Sequence, residues 1–176
     1  ARFIPRILKE PPEALLNASI FFDFRALWGD AAPVDTLRAS LLARMRETPR
    51  FLRMMAQNAL RNRPPLGFMQ GFVVSQGGEH PHTFDLKLQG TTPFVDAARL
   101  LALAHGIGET NTPARLRAAA AAGFVRTEEA EAWCDAYSYI QLLRMRRHQQ
   151  QEVRGEPLDN HVDPDSFNEL DRRILK

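Results

Sequence analysis

Hydrophobic residues recur at three- and four-residue steps along most of the chain, which is the spacing of helices with one buried face. Proline and glycine interrupt this pattern, as they commonly do where helices begin and end. The pattern predicts seven helices, over residues 13–28, 34–47, 50–62, 92–105, 114–122 and 127–154, and from residue 163 towards the end of the chain. The predicted fold class is mainly α, a helical bundle of about seven helices around a four-helix-bundle-like core.

One segment instead alternates apolar and polar residues, which indicates β-structure. Residues 68–75 and 83–89 flank the turn residues 76–79, and we expect the two arms to pair as a small β-hairpin. Asp85 and Lys87 would then share the polar face of the second arm, because side chains alternate along a strand. A two-stranded ribbon is only marginally stable in water, so its apolar face must pack on the helices.

Four of the predicted helices begin at a pair in which Thr or Asp precedes proline. The pairs are Thr48-Pro49, Thr92-Pro93, Thr112-Pro113 and Asp163-Pro164. A side-chain oxygen at such a position can accept from the free backbone N–H groups of the first turn, while proline presets φ. We therefore predict side-chain N-caps at these Thr and Asp residues.

Two opposite charges, Asp23 and Arg25, interrupt the apolar run between Ile20 and Trp28. A buried charge needs a partner, and residues two apart on a helix do not face each other. Each of these side chains should therefore find its partner elsewhere in the fold. In the fourth predicted helix, Asp96 and Arg99 are three residues apart and can form a local pair, beside Asp23 or Asp85.

One face of the long predicted helix, residues 127–154, changes from aromatic to basic along its length. The residues on this face are Trp133, Tyr137, Ile140, Arg144, Arg147, His148 and Gln151. Two interpretations remain open. Either the basic end turns inward and lines a pocket, or the helix end leaves the bundle and is solvated.

The composition indicates a globular domain and leaves open whether its many arginines recognise anions or simply reflect an arginine- and alanine-rich genome. The chain has 176 residues, of which 44% are hydrophobic, enough to close one sizeable core. Most of its 23 basic residues are arginines, whose planar forks suit phosphates and carboxylates. A net charge of +2 is too small for the electrostatic footprint of a nucleic-acid-binding protein, so no nucleic acid is expected as a partner.

The location is expected to be cytoplasmic. Cys134 is the single cysteine and fits a small buried thiol within a helix. No apolar run approaches the roughly 20 residues of a membrane span, and no signal-peptide pattern opens the chain. We therefore expect no membrane partner.

Common catalytic and metal-binding motifs are missing from the sequence. It contains no Walker loop and no G-x-S-x-G, H-E-x-x-H or C-x-x-C pattern. His80 and His82 give only a weak metal pattern, and the residues after Asp159 lack the glycine and glutamate of an EF-hand. Asp85 follows a glycine pair, but one carboxylate does not make a two-metal site. We predict no catalytic residues and no metal site in this chain.

Six segments in order carry a resemblance to a known family: IFFDFRALWGD, PPLGFMQGFVV, GEHPHTFDLKLQGTTPFVDAARLLALAHGI, TNTPARL, LRMRRHQ and DNHVDPDSFNELDRR. Together they resemble the nucleotidyltransferase substrate-binding domain of bacterial signal-transduction proteins. Those proteins also carry CBS and cyclic-nucleotide-binding domains. Their nucleotidyltransferase domain is similar to those of PII uridylyltransferase and glutamine synthetase adenylyltransferase.

The resemblance implies a linker at residues 1–10 and one helical domain at residues 11–176. Such a domain follows the catalytic domain and helps to close its cleft. The chain begins without methionine and stops within a predicted helix, so we expect it to be part of a longer polypeptide. The resemblance places Mg²⁺ and a nucleoside triphosphate with that absent catalytic domain. This chain alone is expected to need no cofactor and to catalyse no reaction.

The charged and polar positions within the matching segments are the candidate substrate-binding residues. They are Asp23, Arg25, Asp85, Lys87, Arg99, Arg144, Arg147, His148 and Asn160. One hypothesis is that they converge on a buried cationic pocket for a nucleotide or an anionic protein acceptor. The alternative is a noncatalytic regulatory or docking module whose charges are structural. Its partners would be the upstream nucleotidyltransferase domain or a second copy in a homodimer.

Overall fold

The computed structural model describes residues 22–67 and 71–175, and these residues are mainly helical. The helices are α1 (Ala32–Arg46), α2 (Pro49–Ala59), α3 (Thr92–His105), α4 (Thr112–Ala121), α5 (Thr127–Arg154) and α6 (Glu169–Leu175). A π-helix, Leu86–Thr91, leads into α3, and a 3-10 turn, Pro164–Ser166, precedes α6. The remaining elements are two short strands, β1 (Phe84–Asp85) and β2 (His161–Val162). The predicted class, mainly α with one small two-stranded antiparallel sheet, is confirmed.

The helix predicted over residues 13–28 is wrong in the part that the structure describes. Residues 22–31 are irregular, whereas residues 13–21 lie outside the described part of the chain. Of the apolar residues that indicated a helix, Phe22 makes a tertiary contact, whereas Leu27 and Trp28 are exposed. Phe22 is buried in a T-shaped contact with Phe51, at 5.8 Å between ring centroids. Such contacts override local helix propensity.

The predicted hairpin is also wrong in its pairing, although residues 68–70 lie outside the described part. Strand β1 pairs antiparallel with β2, with Asp85 opposite His161. Only two backbone hydrogen bonds join Ser75 to the arm at residues 82–83. After β1, the Asp85 carboxylate accepts from the backbone N–H groups of Lys87 and Leu88 and starts the π-helix. Lys87 therefore lies on a helix and does not share a strand face with Asp85.

The N-cap prediction holds for Asp163, at the 3-10 turn before α6, and fails for Thr48 and Thr112. Asp163 accepts from Asp165 N at 2.8 Å. Thr48 makes no cap, and its hydroxyl donates back to a carbonyl of α1 at 2.8 Å. The cap of α4 is Asn111, which displaces Thr112 by one residue. A threonine hydroxyl that donates to a preceding carbonyl is not placed to accept from the first turn of a helix.

The described residues form two compact units. The first contains those up to Arg61 and Val95–Glu131, and the second contains Asn62–Phe94 and those from Ala132 onward. The core of the first unit is formed by Phe22, Met45, Phe51, Met55 and Leu103. The core of the second is formed by Phe84, Leu86, Ile140, Leu143 and Val162, so the sheet packs on α5. No helix among the described residues is long and apolar enough to cross a membrane.

A glycine in the second unit sits in close packing. Gly90, in the π-helix, is buried, and a Cβ added there would lie 3.0 Å from Cγ2 of Ile140. Real Cβ atoms rarely approach another carbon so closely. The missing side chain therefore lets the π-helix lie directly against α5.

Candidate functional site

The candidate residues fall into both units. Asp23, Arg25 and Arg99 belong to the first unit, and the other six belong to the second. The expectation that Arg25 and Lys87 are buried with the other cations is wrong, because both side chains are exposed. Whether they contact a ligand stays a prediction.

In the first unit, Asp23 bridges two arginines from different helices. Its Oδ2 accepts from Nη2 of Arg99 on α3 at 2.6 Å, and its Oδ1 accepts from Nη2 of Arg115 on α4 at 2.5 Å. Arg99 also donates through Nη1 to Asp96 at 3.1 Å. The predicted Asp96–Arg99 pair and the predicted distant partner for Asp23 are both confirmed.

The four charges of this group are buried to very different extents. The side chains of Arg115 and Arg99 are only 3% and 11% exposed, whereas that of Asp23 is 32% exposed. Burial raises the pKa of Asp23, but the hydrogen bonds and charges of the two arginines outweigh it and hold the pKa below its usual value. Burial raises the pKa of Asp96 more than Arg99 lowers it. Burial also lowers the pKa of Arg115, against the effect of Asp23.

A third arginine fastens the same irregular segment. Arg38, on α1, donates to the carbonyl of Phe24, and its guanidinium carbon lies 5.3 Å from the centre of the Phe24 ring. Arg115 is itself fixed by donation from Nε to the carbonyl of Glu109 at 2.8 Å. Three helices therefore hold residues 22–24. The two acids and two arginines around Asp23 balance in charge, so they act as a structural tie in this state.

Arg115 was missed among the candidates. It lies within the TNTPARL segment of the resemblance, but it sits in an alanine-rich helix where an arginine conflicts with no apolar run. The only sequence signal for it was the unpaired acid at position 23. That acid required a cation but did not identify which one.

In the second unit, the basic end of α5 faces the segment that leads into β2. Arg144 donates from Nε to Oδ1 of Asn160 at 2.9 Å and from Nη1 to Oε1 of Gln141 at 2.6 Å. The structure thus brings together two of the candidates, Arg144 and Asn160. Within residues 22–67 and 71–175, no carboxylate pairs with Arg144, so neutral amide oxygens orient its positive charge.

The next turns of α5 are covered in the same way. Arg147 Nη2 lies 3.6 Å from Asp159 Oδ1, so this cation has a carboxylate partner. Gln151 is only 1% exposed and accepts from the backbone of Asp159 at 3.2 Å. His148 lies half-buried on the same helix. The interpretation of a solvated helix end is therefore wrong, because the basic part of the stripe is half-buried or buried.

Asp85 has a mainly structural setting. Its Oδ1 accepts from two backbone N–H groups at 2.7 and 2.9 Å, and its Oδ2 lies 4.0 Å from Nε2 of His161. The His161 ring stacks on that of His80 at 3.9 Å between centroids. These groups line a cavity of about 370 Å³ together with Glu79 and Gln89. Within the part of the chain described, no cluster of three or more metal-ligating side chains could hold a metal ion.

The chain matches a known protein-family model. Residues 49–176 match the family model described as "Putative nucleotidyltransferase substrate binding domain". No curated protein and no solved structure matches the chain.

Proposed function

The chain belongs to the family of putative nucleotidyltransferase substrate binding domains, and from this premise we propose that Arg144 binds an anionic group of the substrate. The group is a phosphate of a nucleotide or an acidic group of an acceptor. The observation that carries the proposal is the setting of Arg144, which is oriented by two amides and, among the residues that the structure describes, not neutralised by a carboxylate. The reaction itself would take place in an adjoining nucleotidyltransferase domain.

An arginine in this setting is prepared for an oxyanion. A guanidinium fork has five N–H donors, and Asn160 and Gln141 take up only part of them. Because the two bonds fix the plane of the fork, less conformational entropy is lost when a ligand binds. Half-burial also strengthens the attraction to an anion, since the surroundings screen charge less than water does.

Neighbouring groups support this role to a smaller degree. Arg147 adds positive charge nearby on α5, but Asp159 offsets it. The contribution of such a domain to catalysis is positioning, which brings the acceptor or nucleotide into reach of the reacting groups. Mg²⁺ and the nucleoside triphosphate are proposed to lie with the catalytic domain and are not assigned to residues of this chain.

The proposed setting is a bacterial cytoplasmic signalling protein. In it, this domain would follow the nucleotidyltransferase domain and accompany CBS and cyclic-nucleotide-binding domains. The family membership supports the nucleotidyltransferase association. The other domains rest on the resemblance of the six segments alone.

Calorimetric titration of the chain with ATP, UTP and their monophosphates tests the proposal. Loss of a hydrogen-bonded charge typically costs about 1.5–3 kcal/mol, so Arg144→Ala should weaken binding by about tenfold or more. Arg146→Ala is the matched control, because Arg146 is an exposed arginine two residues further along α5. No binding heat at millimolar ligand, or equal affinities of the two variants, would contradict a nucleotide site at Arg144.

A docking module is the second candidate, and one exposed pair favours it. Leu27 and Trp28 are 87% and 96% exposed in the irregular segment before α1. Large apolar side chains that adjoin at a surface often belong to a contact with another protein. If the chain dimerises, the Trp28→Ser variant should run as a smaller species in sedimentation velocity. A monomeric wild-type chain that binds nucleotide would favour the first candidate.

A further inference from the structure

We propose that Arg99 and Arg115 form a phosphate-binding site that the Asp23 side chain occupies as an internal ligand. A phosphate group from solution would replace the Asp23 carboxylate between the two guanidinium groups. This site belongs to the first unit and does not rest on the role proposed for Arg144.

The bonding geometry is that of an oxyanion held by two arginines. Each oxygen of Asp23 accepts from a different guanidinium, at 2.6 Å from Arg99 and 2.5 Å from Arg115. Phosphate oxygens accept from guanidinium groups in the same manner as carboxylate oxygens do. A phosphate adds further acceptor oxygens, and Nε of Arg99 is buried without a hydrogen-bond partner among the described residues. The site therefore holds a donor that Asp23 leaves unused.

The charge around the site also favours an external anion. Once Asp23 swings away, Asp96 is the acid left beside Arg99, against the charges of Arg99 and Arg115. Arg38 adds a third positive charge whose field reaches Arg115, although Asp35 lies 3.2 Å from Arg38 and offsets part of it. With Asp96 as the remaining acid of the group, two cations whose side chains are 11% and 3% exposed are incompletely neutralised, which raises the free energy of the fold. Binding of a phosphate would remove that penalty.

The exchange requires little rearrangement. Asp23 is the solvent-facing member of the group at 32% exposure, so the site opens where its carboxylate now lies. The residue is in irregular backbone, and its neighbours keep their own anchors, Phe22 in the core and Phe24 on Arg38. Rotation of the Asp23 side chain alone would expose the two arginines to a ligand.

Thermal unfolding of the Asp23→Asn variant in inorganic phosphate and in chloride, at equal ionic strength, tests the proposal. The variant should melt below the wild type in chloride. Phosphate should raise its Tm along a saturating curve, by about 3–6 °C at ten times Kd. The wild type should respond at higher phosphate concentrations, because its own carboxylate competes.

Glu131→Gln is the matched control. Glu131 also accepts two arginine N–H bonds, both from Arg117 at 2.8 Å, but on the surface. Its phosphate response reports the general stabilisation of proteins by excluded salts. Equal responses of the Asp23→Asn and Glu131→Gln variants would overturn the proposal.

Two further outcomes decide the remaining cases. If Asp23→Asn is unfolded in chloride, phosphate should restore its helical circular dichroism, and an unfolded signal in phosphate would overturn the proposal. Adding Arg144→Ala to Asp23→Asn should leave the phosphate response unchanged. Loss of the response in that double variant would place the phosphate at Arg144 and contradict a site at Arg99 and Arg115.

Discussion

Arg115 in the first unit and Arg144 in the second are both fixed by hydrogen bonds, but within the part of the chain that the structure describes only the charge of Arg115 is neutralised by a carboxylate. Arg115 is almost fully buried and ends on a carboxylate that it shares with Arg99. Arg144 is half-buried and ends on the amide oxygens of Asn160 and Gln141. The comparison teaches that the partner decides the role of a buried arginine. A carboxylate makes it a structural tie for as long as that carboxylate stays bound, whereas neutral acceptors leave its charge for a ligand at all times.

The largest difference is expected between two single variants, Arg115→Ala and Arg144→Ala, when their losses of unfolding free energy are compared. Arg115→Ala leaves Asp23 without one of its cations and the carbonyl of Glu109 without its donor. We expect a loss of about 3 kcal/mol in unfolding free energy, at the lower end for a broken buried pair because Asp23 is partly exposed. Arg144→Ala should cost about 1 kcal/mol, since both amides can bind water instead. Chemical denaturation measures both, and equal losses would break the comparison.

A carboxylate introduced beside Arg144 should neutralise this arginine and make it a structural tie like Arg115. Asn160→Asp replaces the amide that accepts from Nε of Arg144 with a carboxylate. If the charge of Arg144 serves a ligand, nucleotide affinity should fall by about tenfold while the Tm stays the same or rises. Gln150→Glu, at an exposed position of α5, controls for the added negative charge. Undiminished binding by Asn160→Asp would show that the free charge of Arg144 is not used.

Protonation of Asp23 should contribute to the loss of stability at low pH. Because its pKa is lowered from 3.8 in the folded state, the unfolded state binds its proton first as pH falls. The stability that Asp23 contributes is therefore present above pH 3.8 and is lost as pH falls through the folded pKa. The raised pKa of Asp96 acts in the opposite direction above pH 3.8. The Tm advantage of the wild type over Asp23→Asn should shrink between about pH 5 and pH 3, and a constant difference would contradict the tie.

The smallest change in stability is expected for an arginine–glutamate ion pair that lies outside the Asp23 and Arg144 groups. Arg117 and Glu131 make two bonds of 2.8 Å, yet their side chains are 55% and 46% exposed. Water screens such a pair, so Glu131→Gln should change the Tm by less than about 2 °C in scanning fluorimetry. A large drop would show that bond geometry matters more than burial in this protein.

The sequence predicted helices well where proline and glycine bound them. The predicted bounds of α3 and α5 agree with the structure, and those of α1, α2 and α4 differ by up to three residues. The irregular conformation of residues 22–28 was not predicted, because apolar spacing does not reveal the hydrogen bonds that three arginines from distant helices make to this segment. The pairing of β1 with β2 was missed because strand partners far apart in sequence leave no local pattern.

Part of the candidate site was also readable. The unpaired charge of Asp23 correctly required a distant partner. The stripe on α5 singled out Arg144 but left open whether it is covered or solvated, and the structure shows it half-buried. The sequence did not show that Arg25 and Lys87 are exposed, because their exposure depends on the loss of a predicted helix and of a predicted strand arm. It also did not distinguish compensated from free arginines, since that depends on which acids lie within 4 Å in space.

The pairing of β1 with β2 has a consequence for the order of events during synthesis. Residues 62–94 leave the ribosome well before His161–Val162, the segment that pairs with β1 and helps to bury Phe84. Until then Phe84 and Leu86 lack part of their cover and are available to chaperones or to other nascent chains. A stalled chain that ends before residue 159 should therefore expose this apolar surface, and release of the last residues should hide it.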